Sequence, residues 1–365
     1  MEALPDLATL AGVDTYLAET EFACSRVVPL AGGIGNFTYR LFLRNPYQEQ
    51  TTVILKHAAP YLANRPGVPF AVERQIYEAH ILREVLSSGV CSNLVSVPKV
   101  FHHDTTGNFL ILEDCGESNL KQFLLANTPT LEAAAQIGTS LGKFLGKFHA
   151  WGLGQQQLLE FLGRNTQAKA MTARITYGRL VPMLTTHKIP ATELLPEAIS
   201  DEDLEPIAAI VAERTAEIQS ATTALTMGDF WTGNIVVQVD LTSGAVSTKV
   251  VDWELAKPGL RALDVGQFCA EVHCIGLFNS EKAEVAAALI KAFLIAYCAH
   301  CGELEDHIAG TAAKHMGAHL CTITPTAGWG TPEESVKAVQ EGLTYLWEGC
   351  SARWLRERSV FEPLT

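Results

Sequence analysis

Several features that would assign a class of protein at once are missing from this chain. No apolar run of about 18 residues occurs; the greasiest window, Lys291-Ala-Phe-Leu-Ile-Ala-Tyr-Cys-Ala-His-Cys301, is short and interrupted by polar residues, so no membrane-spanning helix is expected. Basic charge is scarce: 27 Lys and Arg face 40 Asp and Glu, a net charge of −13. Such a surface lacks the electrostatic footprint of a nucleic-acid binder and has no attraction to anionic lipid. The start, MEALPDLATLAG, carries acids where a secretory signal carries lysine or arginine, so a soluble, cytoplasmic protein is expected. Charged residues make up only 18% against 48% hydrophobic, which argues for a large buried core and against disorder.

Paired metal-ligand or disulfide spacings are absent too. The nine cysteines are an odd count scattered through apolar stretches and read as reduced core thiols. The one CxxC, Cys298–Cys301, has no second pair at zinc-ribbon spacing. His315 and His319 could share a helix face, but Met316 stands where HExxH has glutamate, so both read as structural. Gly138-Thr-Ser-Leu-Gly-Lys143 is one residue short of a Walker loop and lies inside a helical stripe. The sequon Asn36-Phe-Thr38 means nothing without a secretory signal.

At 365 residues, two lobes or domains are expected. The first third is rich in strand signals. Arg26–Leu30 leads into the glycine-rich turn at 31–36, and Phe37–Leu43 resumes the strand pattern. A loop is expected over 44–50, a third strand over Thr51–His57 and a proline-rich loop over 58–70. A helical period covers Val72–Leu86, and strands follow at Ser96–His102 and Phe109–Leu112. Beyond Glu113 the pattern turns helical, over 131–150, 201–223 and 280–301, the last closed by Gly302. One β-hairpin interrupts it, with strands at 235–239 and 246–251. The expected layout is a small lobe of sheet plus one helix over 1–112, a connector at 113–116 and a larger helical lobe over 117–365.

The strongest chemical signal is Met227-Gly-Asp-Phe-Trp-Thr-Gly-Asn234, followed by Asp252-Trp-Glu254. Asp229 and Asn234 flank a tight turn into the first hairpin strand, and the second strand returns Asp252 beside Asn234. Two carboxylates and an amide at one end of a ribbon suit Mg²⁺, which takes oxygen ligands and keeps room for substrate phosphates. Lys56, alone at the end of an apolar strand, reads as a phosphate-gripping lysine positioned by Glu78 or Glu73 on the following helix. Gly32, Gly33 and Gly35, with Asn36 closing the turn, let backbone N–H groups approach phosphate oxygens without a Cβ in the way.

This ordered series resembles the protein-kinase-like fold of the aminoglycoside-phosphotransferase and choline-kinase superfamily. MGDFWTGN stands where that family has an HGD-x4-N catalytic loop, DWE matches the D-x-E metal motif of methylthioribose kinases, and Asp264-Val-Gly266 is similar to a later family segment. The likeness runs from about 25 to 350 and is closest to fungal methylthioribose-kinase-like enzymes, a group that includes 4-hydroxytryptamine kinase. It implies an α+β bilobal fold, with an antiparallel-sheet N-lobe and a mainly helical C-lobe. It further implies an ATP- and Mg²⁺-dependent small-molecule kinase in which Asp229 handles the proton of the attacking hydroxyl. Asn234, Asp252 and Glu254 would hold Mg²⁺; Lys56, partnered by Glu78, would contact the α/β-phosphates; Glu113 and Cys115 would meet the adenine edge. Asp264 would brace the catalytic loop. Met227 departs from the family's histidine, and a packing substitute is expected there. The implied acceptor is methylthioribose or a hydroxyindole-ethylamine such as 4-hydroxytryptamine, ahead of choline or an aminoglycoside. A nucleotide-binding protein without catalysis is the alternative. Aromatics of the helical lobe (Trp151, Tyr177, Trp231, Trp253, Trp329, Tyr345 and Trp347) either line the acceptor site or belong to the core.

Overall fold

The computed structural model describes residues 5–31, 33–186, 189–240 and 245–365; Gly32 of the glycine turn and hairpin-turn residues 241–244 lie outside them. The small lobe is built on an antiparallel sheet of order β1-β2-β3-β8-β7. Its strands are β1 (Cys24–Pro29), β2 (Phe37–Tyr47), β3 (Gln50–His57), β7 (Val100–Asp104) and β8 (Phe109–Glu113). Alternation along β8 divides the lobe's core. Phe109 and Ile111 face a cluster with α1 (Leu10–Leu17), whereas Leu110 and Leu112 face α2 (Arg74–Ser87). The N-cap of α1 is Thr9, whose hydroxyl accepts from the Gly12 N–H at 3.1 Å.

Three segments depart from the expected layout. Residues 44–50 are not a loop: β2 and β3 run on to a two-residue turn at Gln48-Glu49, with φ of 46° and 69°. Both are left-handed, the geometry that matches strand twist in tight hairpins, but neither is the Asn, Asp or Gly that marks such turns in a sequence. The 58–70 loop contains a small hairpin, β4 (Tyr61–Leu62) with β5 (Arg65–Pro69). The strand expected over 96–102 is split around Pro98. Its first part, β6 (Val95–Ser96), leaves the small sheet and pairs in parallel with β12 (Val246–Val250) of the other lobe.

The large lobe surrounds two closely packed helices, α4 (Leu131–Gly152) and α11 (Ala283–Cys298). Their approach depends on Gly138, Gly142 and Gly146, one residue per turn on one face of α4. A Cβ at Gly138 would sit 2.2 Å from the Leu289 carbonyl oxygen, and one at Gly142 2.1 Å from that of Phe293. The Walker-like glycines are therefore packing glycines. Gly302, at φ 73°, closes the turn that follows α11. Short helices α3 (Leu120–Ala126), α5 (Gln156–Leu162), α6 (Thr166–Thr172), α7 (Gly178–Leu184) and α8 (Pro190–Glu193) lead to α9 (Asp201–Ser220). Helices α10 (Arg261–Phe278), α12 (Ile308–Thr322), α13 (Pro332–Glu348) and α14 (Ala352–Arg358) complete the lobe. Two two-residue strands, β10 (Leu225–Thr226) and β13 (Lys257–Pro258), bracket the catalytic segment. The hairpin of β11 (Ile235–Val239) and β12 carries β9 (Ser118–Asn119) on its other edge. Among the described residues no helix is long and apolar enough to cross a membrane.

The isolated cysteine and histidine signals resolve as structural. The cysteines are unpaired, and Cys298 Sγ lies 3.2 Å from the Pro363 carbonyl oxygen. His319 Nε2 pairs with Glu271 at 2.9 Å, and His315 Nδ1 with the Tyr177 hydroxyl at 2.9 Å.

Candidate active site

Lys56 leaves β3 toward α2 and meets carboxylates from the small lobe, Glu78, and from the distant D-x-E segment, Asp252 and Glu254. Nζ donates to Glu78 Oε1 and Oε2 at 2.8 and 2.6 Å and to Asp252 Oδ1 at 2.5 Å. The lysine's helix partner is thus Glu78 and not Glu73, which only opens α2 as its N-terminal cap residue. Glu78 is fully buried and accepts a further hydrogen bond from the Trp253 N–H at 3.2 Å, which ties α2 to the D-x-E segment. Asp252 adopts φ 65°, a left-handed conformation that a non-glycine residue holds only where the surroundings enforce it.

Glu254 is embedded in a second set of contacts. Its Oε2 accepts from Asn36 Nδ2 at 2.7 Å and lies 3.2 Å from Arg74 Nε. Arg74 also donates to the carbonyls of Gly35, Ala59, Phe70 and Ala71 and to Asn36 Oδ1. The glycine turn is consequently clamped onto the D-x-E segment. The side chain of Asn36, expected at the nucleotide, is instead committed to Glu254 and Arg74.

The glycines of the turn are not equivalent in what the protein packs against them. A Cβ at Gly35 would lie 2.8 Å from both Glu254 Oε1 and the Phe70 ring, so this glycine is required by close approach of the protein itself. Gly33 is exposed, and a Cβ there would meet only the Asn36 carbonyl oxygen at 3.7 Å, an ordinary contact. Among the described residues nothing packed around Gly33 demands a glycine, and the turn leans on the D-x-E segment through Gly35 and Asn36. Gly32, the third of the set, lies outside the described residues.

On the large-lobe side, Asn234 Nδ2 donates to Asp229 Oδ2 at 2.9 Å and to its carbonyl at 3.1 Å. Gln267 Nε2 donates to Asp229 Oδ1 at 2.7 Å. Asp264 accepts from the N–H groups of Met227 and Gly228 at 2.8 and 2.9 Å, while His149 Nε2 meets its Oδ2 at 3.2 Å. The loop is therefore braced through its backbone, and the Met227 side chain is fully buried as packing. The connector is pinned by Arg40, which grips Asp114 at 2.7 and 3.0 Å and the Gly116 carbonyl at 2.7 Å. The Glu113 carboxylate pairs with Lys249 at 2.9 Å, and the Cys115 carbonyl accepts from Gln238. No acceptor meets the Cys115 N–H among the described residues.

The match to the phosphotransferase enzyme family spans residues 26–307, most of the chain. The chain belongs to that family. It is 31% identical over 350 residues to a 4-hydroxytryptamine kinase of Psilocybe cyanescens, covering 93% of this chain and 92% of the relative. A 4-hydroxytryptamine kinase of Psilocybe cubensis is 29% identical over 352 residues, with the same coverage of each. In fold, the chain is similar to aminoglycoside 2'-phosphotransferase-IIIa solved with GDP, with a TM-score of 0.50 at 13% identity over 94% of this chain and 98% of that one. The protein is a small-molecule kinase, a phosphotransferase acting on a hydroxyl group, on an α+β bilobal kinase-like fold.

Burial dominates the electrostatics of the site. Burial pushes Asp229 up to about 6, with the charge of Asp252 adding to the effect and the two amides opposing it. Burial likewise raises Glu254 to about 7 against the pull of Lys56. Burial works to lower the Lys56 ammonium, but Asp252, Glu78 and Glu254 outweigh it and hold the group well above its ordinary value. Lys257, buried behind Gly228, is lowered to about 8 by burial.

Several residues here have no place in the sequence reading. Arg74 sits in a run of polar residues that reads as the exposed start of a helix. Asn165, which donates to the carbonyls of Glu254 and Ala256 at 2.9 and 3.1 Å, lies in an ordinary polar turn. Gln267 did leave a signal: it is a polar residue three positions after Asp264, on the same face of a helix rich in apolar residues. Of the aromatics, Trp253 and Tyr177 are fully buried, Tyr345 is core, and exposed Trp347 donates to the Asp203 carbonyl. Trp231, half-buried, lies two residues after Asp229 in the catalytic loop; its indole covers Gly233, where a Cβ would lie 2.3 Å from the ring.

Proposed function

We propose that this kinase binds ATP with Mg²⁺ between its lobes and transfers the γ-phosphoryl group to the hydroxyl of a hydroxyindole-ethylamine such as 4-hydroxytryptamine. The observation that carries the mechanism is the Asp229 carboxylate, held at both oxygens by amides and within reach of the charge on Asp252, the partner of Lys56. In this reading the acceptor O–H donates to Asp229, while Lys56 holds the phosphates and the free N–H of Cys115 meets the adenine edge. The exposed backbone at Gly33 would lie over the phosphates, with Gly35 anchoring the turn from below. The donor set fits a divalent cation: ligand oxygens of Glu78, Asp252 and Glu254 lie within 4.8 Å of one another. Glu78 is committed to Lys56, so Asp252, whose side chain is 35% exposed, and Asn234, whose Oδ1 has no partner among the described residues, would hold the ion, with Glu254 behind them. Bound Mg²⁺ neutralises charge on the phosphoryl oxygens. The protein's own part is positioning, exclusion of water and acceptance of one proton.

Support for the nucleotide comes from the GDP complex of the aminoglycoside phosphotransferase of the same fold. Support for the acceptor comes from two relatives named 4-hydroxytryptamine kinase that align over nearly the whole chain. The runner-up is methylthioribose. ADP release measured with 4-hydroxytryptamine, methylthioribose, choline and an aminoglycoside decides between them. The highest kcat/KM is expected with the hydroxyindole, and turnover with none of the four would overturn the proposal.

A further inference from the structure

Helix α10 presents two polar side chains to the catalytic loop from one face. Asp264 and Gln267 are three residues apart, about 4.5 Å along the axis, and hold consecutive parts of the same segment. Asp264 takes the N–H groups of 227 and 228, and Gln267 takes the side chain of 229. A carboxylate only accepts, so the amide nitrogen must face Asp229, and this fixes the orientation of the whole group. The carbonyl Oε1 is then turned away from Asp229. Nothing donates to Oε1 among the described residues, and Gln267 is only half-buried, so this acceptor is open to a ligand.

Asn234 and Gln267 each use one lone-pair site of Asp229, leaving one open on each oxygen. A reacting hydroxyl bound to either site lies about 3 Å from the carboxylate. The nearby Oε1 can then reach a second donor on the same acceptor molecule, a few ångströms from the reacting oxygen. A hydroxyl on the neighbouring carbon or an amine on a neighbouring side chain has that spacing, whereas an isolated hydroxyl offers nothing to it.

We propose that Gln267 is a positioning and specificity residue: its Nε2–H fixes Asp229 for proton transfer, and its Oε1 accepts from an N–H or O–H beside the acceptor's reacting hydroxyl. The inference rests on Asp229 as the proton acceptor and goes beyond it by naming how the acceptor is selected. In the step it serves, the hydroxyl proton passes to Asp229 as the acceptor oxygen bonds to the γ-phosphorus. The bond from that phosphorus to the β–γ bridging oxygen breaks, and its electron pair leaves with ADP.

Two variants separate the two ends of the amide. Gln267→Met keeps the length and removes both polar atoms; Gln267→Glu keeps the shape and an acceptor oxygen but loses the N–H. Each is assayed with 4-hydroxytryptamine and with the same hydroxyindole lacking its ethylamine arm. For Gln267→Met, kcat falls about 10²-fold, the KM for ATP stays at the wild-type value, and preference for the amine-bearing acceptor disappears. For Gln267→Glu, kcat falls while that preference persists. An unchanged KM for ATP reports an intact fold and nucleotide site in either variant. Wild-type kcat and preference in both variants, alongside an inactive Asp229→Asn, would overturn the role of Gln267. Full turnover by Asp229→Asn would instead remove Asp229 as the proton acceptor.

Discussion

On the small-lobe side of the cleft, Lys56 and Arg74 hold Glu78, Asp252 and Glu254; on the large-lobe side, the amides of Asn234 and Gln267 hold Asp229. Cations neutralise the carboxylates they orient. Amides orient without adding charge; burial raises Asp229 to about 6 against their pull, as it raises Glu254 to about 7 against that of Lys56. The contrast fits the work proposed for each side. One must present positive charge to phosphates within a low-dielectric site, and the other must accept a proton near neutral pH.

The comparison breaks most visibly at Asp229. Replacing it with alanine is expected to lower kcat by about 10²–10⁴-fold with the KM for ATP little changed, as ADP release would show. Lys56→Met attacks the opposite side. It leaves Glu78 buried without its cation, and a stability loss of about 3–5 kcal/mol is expected from denaturant unfolding. Gln267→Met, by contrast, should cost less stability, since Asp229 loses a neutral donor and keeps the one from Asn234.

The pH dependence sharpens the same contrast. Asp229 accepts a proton only when ionised, and with its pKa pushed up to about 6 from 3.8, activity should rise with pH through about 6. A carboxylate with an ordinary pKa would leave kcat flat down to pH 5. The folded protein favours protonated Asp229, so this contribution to stability is full below 3.8 and is lost as pH rises through 6. Asp229→Asn should accordingly be more stable than wild type above pH 6, with the gap closing in acid, as thermal unfolding across pH would reveal. The smallest effect is expected at the glycine clamp. In Gly35→Ala the added methyl meets Glu254 and Phe70, costing about 1–3 kcal/mol of strain and raising the KM for ATP more than it lowers kcat. Gly33→Ala, whose methyl meets no close neighbour, should leave stability unchanged in the same unfolding assay.

Much of the fold was legible because its signals are local. The apolar run of β8, the stripe along α4 and the paired runs of the hairpin at 235–250 each show within a short stretch of chain. The turn at Gln48-Glu49 was not, because strand twist and pairing imposed left-handed conformations on residues that do not advertise them. Pairing of β6 with β12 was equally hidden, since residues 95 and 248 meet only when the lobes are assembled. In the site, the spacing of Asp229, Asn234, Asp252 and Lys56 singled out polar residues that the structure joins as two pairs, Asp229 with Asn234 and Lys56 with Asp252. It could not show that Asn36 and Glu254 spend their side chains on Arg74 and on each other, nor that Gly35 and Gly33 differ in what they touch.

By itself, the sequence determined the order of elements and the short-range spacings, because backbone periodicity and turn geometry are set by neighbours in the chain. Only the tertiary structure decided which polar groups meet. Lys56 finds Asp252 across 196 residues and Asp229 finds Gln267 across 38. Hydrogen bonds act over about 3 Å, so such partners are fixed by how helices and sheet pack and by nothing that their separate neighbourhoods contain.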